Sequence, residues 1–339
     1  MYFLLGISLI LAFLLIVNMF VAVFASALWS LISRFASGLS VASRGHIIFG
    51  LRILPVAVAF IFVSAFVIPA YLLLEPDASG ETVSLKLAFL ASLSSLGVGI
   101  ALYRVFQTWI VTRGLAYNWL KQASEIALDG ITVPVYRIKH PFPVIAVIGV
   151  FRPRMFVAEQ VLESLDRSEL LAAAAHECGH LQANDNFKRT ILRLCRDLLI
   201  LPFGKGLDRA WADNAESLAD EYAARSGRST ALELASALVK IARIVPAHAV
   251  PAMPAGAFLI TAGASLIDAE NADVTSRVRH LVTISESTAF STESRLLGLS
   301  AAGWFWSISM AMLISLPLTV QSLLIFTHDA IEKFVSFLQ

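Results

Sequence analysis

The sequence predicts a mainly α fold: a polytopic membrane protein with about four transmembrane helices and an inserted α+β domain. Three observations carry this. Hydrophobic residues make up 57% of the 339 and charged residues only 15%, whereas soluble domains average about 25% charged. Apolar runs of membrane-crossing length recur at Met1–Ile32, Ile47–Leu74, Leu87–Tyr103 and Leu296–Thr327. Between the third and fourth runs the charges scatter as they do in a globular domain. The division is therefore 1–113, three N-terminal spans; 114–295, the globular domain; and 296–339, a fourth span with a short tail.

Each run has its own signature. Met1–Ile32 carries no charge. It lacks a basic residue ahead of the apolar stretch and is too long for a signal-peptide core, so it is expected to stay as a span. Ile47–Leu74 is interrupted only by Arg52 near its start, and Pro55 and Pro69 are expected to kink it, which membrane helices tolerate. Arg104 and Arg113 close the third run. Trp304, Phe305 and Trp306 sit toward one end of the fourth, as an interfacial belt would. A shorter apolar patch, Pro254–Ile267, reads better as a buried or membrane-lying segment than as a span.

Lys and Arg collect on the cytoplasmic side of membranes. Arg34 and Arg44 mark the first loop, Glu75, Asp77 and Glu81 the second, and Arg104, Arg113 and Lys121 follow the third run. This places the domain in the cytoplasm and both termini outside. A net charge of +1 gives no basic field for nucleic acid. Scarcity of charge within the spans argues against a transporter. The two cysteines, Cys178 and Cys195, form no metal or redox motif.

Within the domain, Ile131–Ile138, Val144–Val150 and Met155–Ala158 read as strands, the first two separated by the turn residues His140–Pro143. Asp166 with Glu169 three residues on is a capping box that opens a helix over Arg167–Ala183. Helices are expected at about Asn186–Leu201, Leu207–Arg225 and Thr230–Ile244.

The capped helix contains AAAAHECGH. His176 and His180, at i and i+4, share one helix face, and two neutral imidazoles one turn apart can hold a zinc ion. Glu177, about 100° around the helix, can act on a metal-bound water. The alanines give the helix a slim side that lets other helices approach. Downstream, NAESLADEYAARSG starts at Asn214. Glu216 and Asp220 are again i and i+4, so one carboxylate can be the third ligand while the other orients a ligand imidazole. Asp213 is expected on the same face, so spacing alone leaves the choice open, although the longer Glu216 side chain reaches further. Two histidines and a glutamate leave a fourth position for water, as catalytic sites do.

HECGH followed by ESLAD resembles the HExxH…ExxxD signature of gluzincin membrane metallopeptidases. These include the BlaR1/MecR1-type proteases of family M56 and the Ste24/HtpX-type proteases of family M48. The segment PFPVIAVIGVFRPRMFVAEQVLESLDRSELLAAAAHECGHLQANDNFKR, with Asp185 shortly after HExxH, looks like the M56 pattern, and the resemblance spans roughly Pro141–Gly227. It implies a zincin-like metalloprotease domain with one Zn2+ per chain. His176, His180 and Glu216 would be its ligands, Glu177 the catalytic base and Asp220 a supporting residue. It further implies a protein or peptide substrate cut at the cytoplasmic face of a bacterial inner membrane, and it leaves room for a homo-oligomer. The BlaR1-type pattern adds an extracytoplasmic penicillin-binding sensor after its last span. Nothing of that kind follows the fourth run here, so a signalling protease would lack its own sensor. Arg277, Tyr222 and Asn184 are candidates for oxyanion or substrate contacts. Arg277 ranks first because similar arginine-containing segments follow the ExxxD helix in both families. A non-enzymatic scaffold is disfavoured, since every expected site residue is present.

Overall fold

The structure is a computed structural model of the chain and describes residues 2–36, 38–75, 83–199, 204–245, 257–259, 270–286 and 321–338. Among the described residues, three helical stretches are long and apolar enough to cross a membrane: Tyr2–Ala36, Val41–Leu74 and Leu85–Lys121. The first is α1. The second comprises α2 (Val41–Phe62), a π-helical turn (Val63–Val67) and α3 (Ile68–Leu74) without a break. The third is α4. The two prolines expected to kink this stretch, Pro55 and Pro69, lie within continuous helix. Pro69, at the start of α3, cannot donate to the Ala65 carbonyl and its ring crowds that group, and the turn before it widens to a π-helix. Small buried residues (Ala12, Ala59, Ala70, Ala101) let these helices approach closely, and bulky ones such as Phe20, Phe60, Phe89 and Leu102 are exposed outward. The segment 287–320, which holds most of the expected fourth span, lies outside the described residues. The helix α11 (Gln321–Leu338) places Ile331 and Val335 in one apolar cluster with Leu5, Leu9, Tyr71 and Leu87.

The domain carries a five-stranded sheet, β1 (Ser124–Ile126), β2 (Val135–Ile138), β3 (Ile145–Ile148), β4 (Arg154–Ala158) and β5 (Ala257–Leu259), in the order β1-β2-β4-β3-β5. β2 and β4 run parallel and the other pairs are antiparallel. Helices α5 (Glu159–Ser164), α6 (Arg167–Gln182), α7 (Asp185–Asp197), α8 (Lys205–Ala224), α9 (Arg228–Ile244) and α10 (Glu270–Glu286) accompany it. One sheet face packs Ile145, Val147, Met155 and Val157 onto Ala172–Ala174, Leu234, Leu238 and Leu281. The other packs Ile138, Ile148 and Phe156 onto Leu115, Ala116, Trp119 and Leu120 of α4. Burial on both faces explains why β3 and β4 read as continuous apolar runs rather than alternating ones.

The boundaries differ from expectation for local reasons. The first strand begins at Val135, not Ile131, because Pro134 has no N–H for the ladder; its carbonyl still accepts from Met155 N at 3.0 Å. β3 stops at Ile148, not Val150. Gly149 has φ +107°, and a Cβ there would sit 2.9 Å from the Arg152 carbonyl oxygen, so the chain turns at that point. α7 ends at Asp197 rather than Leu201, and β1 and α5 lacked an apolar period to announce them. Of the apolar patch 254–267, Ala257–Leu259 is strand β5 beside β3, and the remainder lies outside the described residues. The capping box is present as expected: Asp166 Oδ1 accepts from Glu169 N at 2.9 Å, and Glu169 Oε2 accepts from Asp166 N at 3.0 Å.

Candidate metal centre

Two helices of small residues bring the site together. α6 buries Ala172, Ala173 and Ala174, and α8 buries Ala215, Ala219 and Ala223. At Gly179 the helices nearly touch: a Cβ would lie 2.9 Å from Ala219 Cα and 3.1 Å from Tyr222 Cβ. That clearance sets Glu216, on α8, opposite His176 and His180, on α6. Ligand atoms of the three residues all lie within 4.8 Å of one another, and all three are buried. His176 Nε2 and His180 Nε2 are 3.2 Å apart. Glu216 offers Oε2 at 3.6 Å from the first and Oε1 at 3.9 Å from the second.

The outer nitrogens fix the tautomers. His176 Nδ1 lies 2.8 Å from Asp220 Oδ1, and His180 Nδ1 lies 2.8 Å from Asp185 Oδ2. Asp185 pairs with His180 Nδ1 as a hydrogen-bond partner and Asp220 lies at ion-pair distance from His176 Nδ1, so both Nε2 atoms are left facing the Glu216 carboxylate. Two lone pairs and an anion at this range require a cation between them. Burial opposes charge on His176, but its hydrogen bonds to Asp220 and Glu216 outweigh it and raise the pKa to about 9. Burial keeps His180 well below the usual imidazole range. The residues therefore fit a metal ion held by two nitrogens and one carboxylate.

Asp220 is not a member of the converging set. It is bound by Arg277, whose Nη2 is 2.7 Å from Oδ1 and whose Nε is 3.1 Å from Oδ2. Arg277 Nη1 also reaches Glu216 Oε2 at 3.1 Å. Burial alone would raise both carboxyls, yet this guanidinium and His176 hold them below the usual range. Asp213 is exposed and does not join the converging ligand atoms, although it stands only about 60° around the helix from Glu216.

Glu177 is fully buried, and neither carboxylate oxygen closes a hydrogen bond among the described residues. The backbone N–H of Val147 on β3 favours its charge, but burial wins and lifts its pKa to about 8. Of the other candidates, Arg277 joins the cluster and two do not. Asn184 is exposed and adopts φ +56° at the α6–α7 turn; it serves by its backbone, aiming Asp185 back at His180. Tyr222 packs its Cβ on Gly179. No hydrogen bond joins Tyr222 or Asn184 to the cluster among the described residues.

One residue went unforeseen. The charge of Arg189, on α7, is felt by Glu216, Asp185 and Glu177. The available signal was its spacing, one helical turn after Asp185 and so on the same face. Asn186 ties this helix to the sheet, donating through Nδ2 to the carbonyls of Val147 and Gly149, both at 3.2 Å.

A family model for peptidase family M48 matches residues 146–219. The matched stretch runs from β3 to α8. It includes His176, Glu177, His180 and Glu216 and stops one residue short of Asp220. It is similar to the M48 peptidases over this segment, which indicates a metallopeptidase. No curated protein matches the chain.

Proposed function

We propose that the chain is an integral-membrane zinc-dependent endopeptidase that cleaves protein substrates at the cytoplasmic face of the membrane. The observation that carries this is the convergence of the His176 and His180 Nε2 atoms with the Glu216 carboxylate, each imidazole being backed by its own carboxylate. The M48 similarity supports it. His176, His180 and Glu216 would hold one zinc ion, which when bound polarises the scissile carbonyl and lowers the pKa of its water toward neutrality. Glu177 would take the proton of the attacking water on its carboxylate and return it to the leaving amine. Its buried, unpartnered oxygens suit both halves of that transfer. Arg277 would keep Asp220 ionised, Asp220 and Asp185 would hold the two rings, and Arg189 would add positive charge near the reacting groups. The protein would sit in a bacterial inner membrane as a multi-pass chain.

The decisive experiment is metal analysis and peptide cleavage by the purified chain and its Glu177→Gln variant. The variant should keep its zinc, since Glu177 is not a ligand, and lose proteolysis by about 10²-fold or more. Near-normal turnover in the variant, or a wild-type chain that binds no metal, would overturn the reading.

A second reading, a signal-transducing protease of BlaR1 type that cuts a cytoplasmic repressor, is favoured by one observation. The ligand helix α8 is pinned to the second apolar helix: Arg52 Nε is 2.6 Å from Asp208 Oδ1, and Arg44 Nε donates to Asn214 Oδ1 at 2.7 Å. A shift of α2 would act on Glu216 directly. Finding a repressor that stays intact in cells carrying only the Glu177→Gln chain would support this reading.

A further inference from the structure

The tip between β3 and β4 is out of character for a domain surface. Val150 is 36% and Phe151 91% exposed. They are followed by Arg152 and Arg154, neither of which has a salt bridge among the described residues.

The position of this tip follows from three contacts. Asn186 of α7 holds the Gly149 carbonyl at 3.2 Å. Two residues on, Lys188 places its Nζ 5.9 Å from the ring centre of Phe49 on α2. Counted from Leu74 at about 1.5 Å per residue, a hydrocarbon core of about 30 Å ends near Pro55. Phe49 then lies about 9 Å further, at headgroup depth. At the opposite end of the sheet, His140 meets the ring of Trp119 with centroids 5.3 Å apart. Trp119 lies far along α4 beyond Arg104, where the third span ends, so that end of the sheet is remote from the bilayer and the tip end faces it. Trp109, Ile110 and Val111 on α4 and Phe187 on α7 are further exposed apolar residues on the two helices.

We propose that the β3–β4 tip is a membrane-docking loop: Val150 and Phe151 enter the headgroup layer of an anionic bilayer, and Arg152, Arg154 and Lys188 engage lipid phosphates. Apolar side chains flanked by cations are what such a layer accepts. This rests on the reading that the three apolar helices cross a membrane. It goes beyond that reading by giving the domain a second attachment, on the strand whose Val147 N–H faces Glu177.

The test uses the full chain in nanodiscs containing phosphatidylglycerol. Phe151→Cys, Phe89→Cys on α4 and Glu163→Cys on α5 are each made in a Cys178→Ala, Cys195→Ala background and labelled with an environment-sensitive fluorophore. Blue-shifted emission and quenching by nitroxide lipids are expected at Phe89 and Phe151 and not at Glu163. Quenching at Phe89 with a water-like signal at Phe151 overturns the docking loop and leaves the spans standing. A water-like signal at Phe89 overturns the spans and the loop together. In the unsubstituted chain, a photoactivatable phosphatidylglycerol should cross-link to the peptide containing Val150–Arg154. A peptide free of cross-links there, with cross-links present on α4, overturns the proposal independently of the cysteine background.

Discussion

Glu216 and Asp220 divide their work by reach. One helical turn apart on the same face, they meet different atoms of His176: Glu216 approaches Nε2 at 3.6 Å and Asp220 lies 2.8 Å from Nδ1. The longer side chain passes the ring to its inner nitrogen and the shorter one stops at the outer. Glu216→Ala should therefore purify with little zinc. Asp220→Ala should keep substantial zinc, with affinity or activity lower by about 10–100-fold, as expected when the partner of a ligand imidazole is lost. Metal analysis after identical purification checks this, and the reverse order would make Asp220 the ligand. At this scale the sequence was informative where chemistry imposes a spacing, as in His176, Glu177 and His180. Spacing alone could not decide between Glu216 and Asp220, because helical period fixes a face but not a depth; side-chain length and the family pattern were what favoured Glu216. The sequence's one hint of Arg189 was the spacing from Asp185, because the residue's relation to the site depends on α7 folding back over α6 through the left-handed Asn184.

The contact of α6 with α8 is the element on which the site geometry depends. A methyl group at Gly179 would meet Ala219 Cα at 2.9 Å and Ala219 Cβ at 3.2 Å, and these are backbone and stub atoms that cannot rotate away. Gly179→Ala should force the helices apart, cost about 1–3 kcal/mol, and lower zinc content by separating Glu216 from the histidines. A variant with full zinc and unchanged thermal stability would contradict this. The start of α6 carries a pH response. Burial disfavours the Glu169 charge, but Lys240 at 2.6 Å and Ser236 at 2.6 Å outweigh it and lower its pKa. A carboxyl with a depressed folded pKa stabilises above its unfolded value, about 4.3, and loses that contribution as pH falls through the folded one. Glu169→Gln should be less stable than the parent at neutral pH, and the gap should close below about pH 4 in thermal melts of the solubilised chain. The capping box was legible because its signal is local. The strand ends were not, because Pro134 and Gly149 act through a ladder and a turn that only the folded sheet defines.

Across the whole molecule, the loop charges set an expectation of sidedness. A reporter fused at Gly80 should read as extracytoplasmic and one at Gly227 as cytoplasmic. Agreement between the two would mean a miscounted span. The apolar runs were visible from composition, whereas the packing of the domain against them was not, since Arg52 and Asp208 are 156 positions apart. That pairing has a consequence for modularity. The first turns of α8 bury Leu207, Trp211 and Ala215 against Ile48 of α2, and Gly204 curls around the Arg52 guanidinium, which a Cβ would approach to 3.0 Å. The helix that presents Glu216 is thus half a piece of the domain and half a piece of the bundle. Recombination could not move residues 114–295 onto a different anchor, or release them as a free-standing module, without stripping α8 of its wall. Bundle and domain are expected to have been inherited, and to diversify, as one cassette.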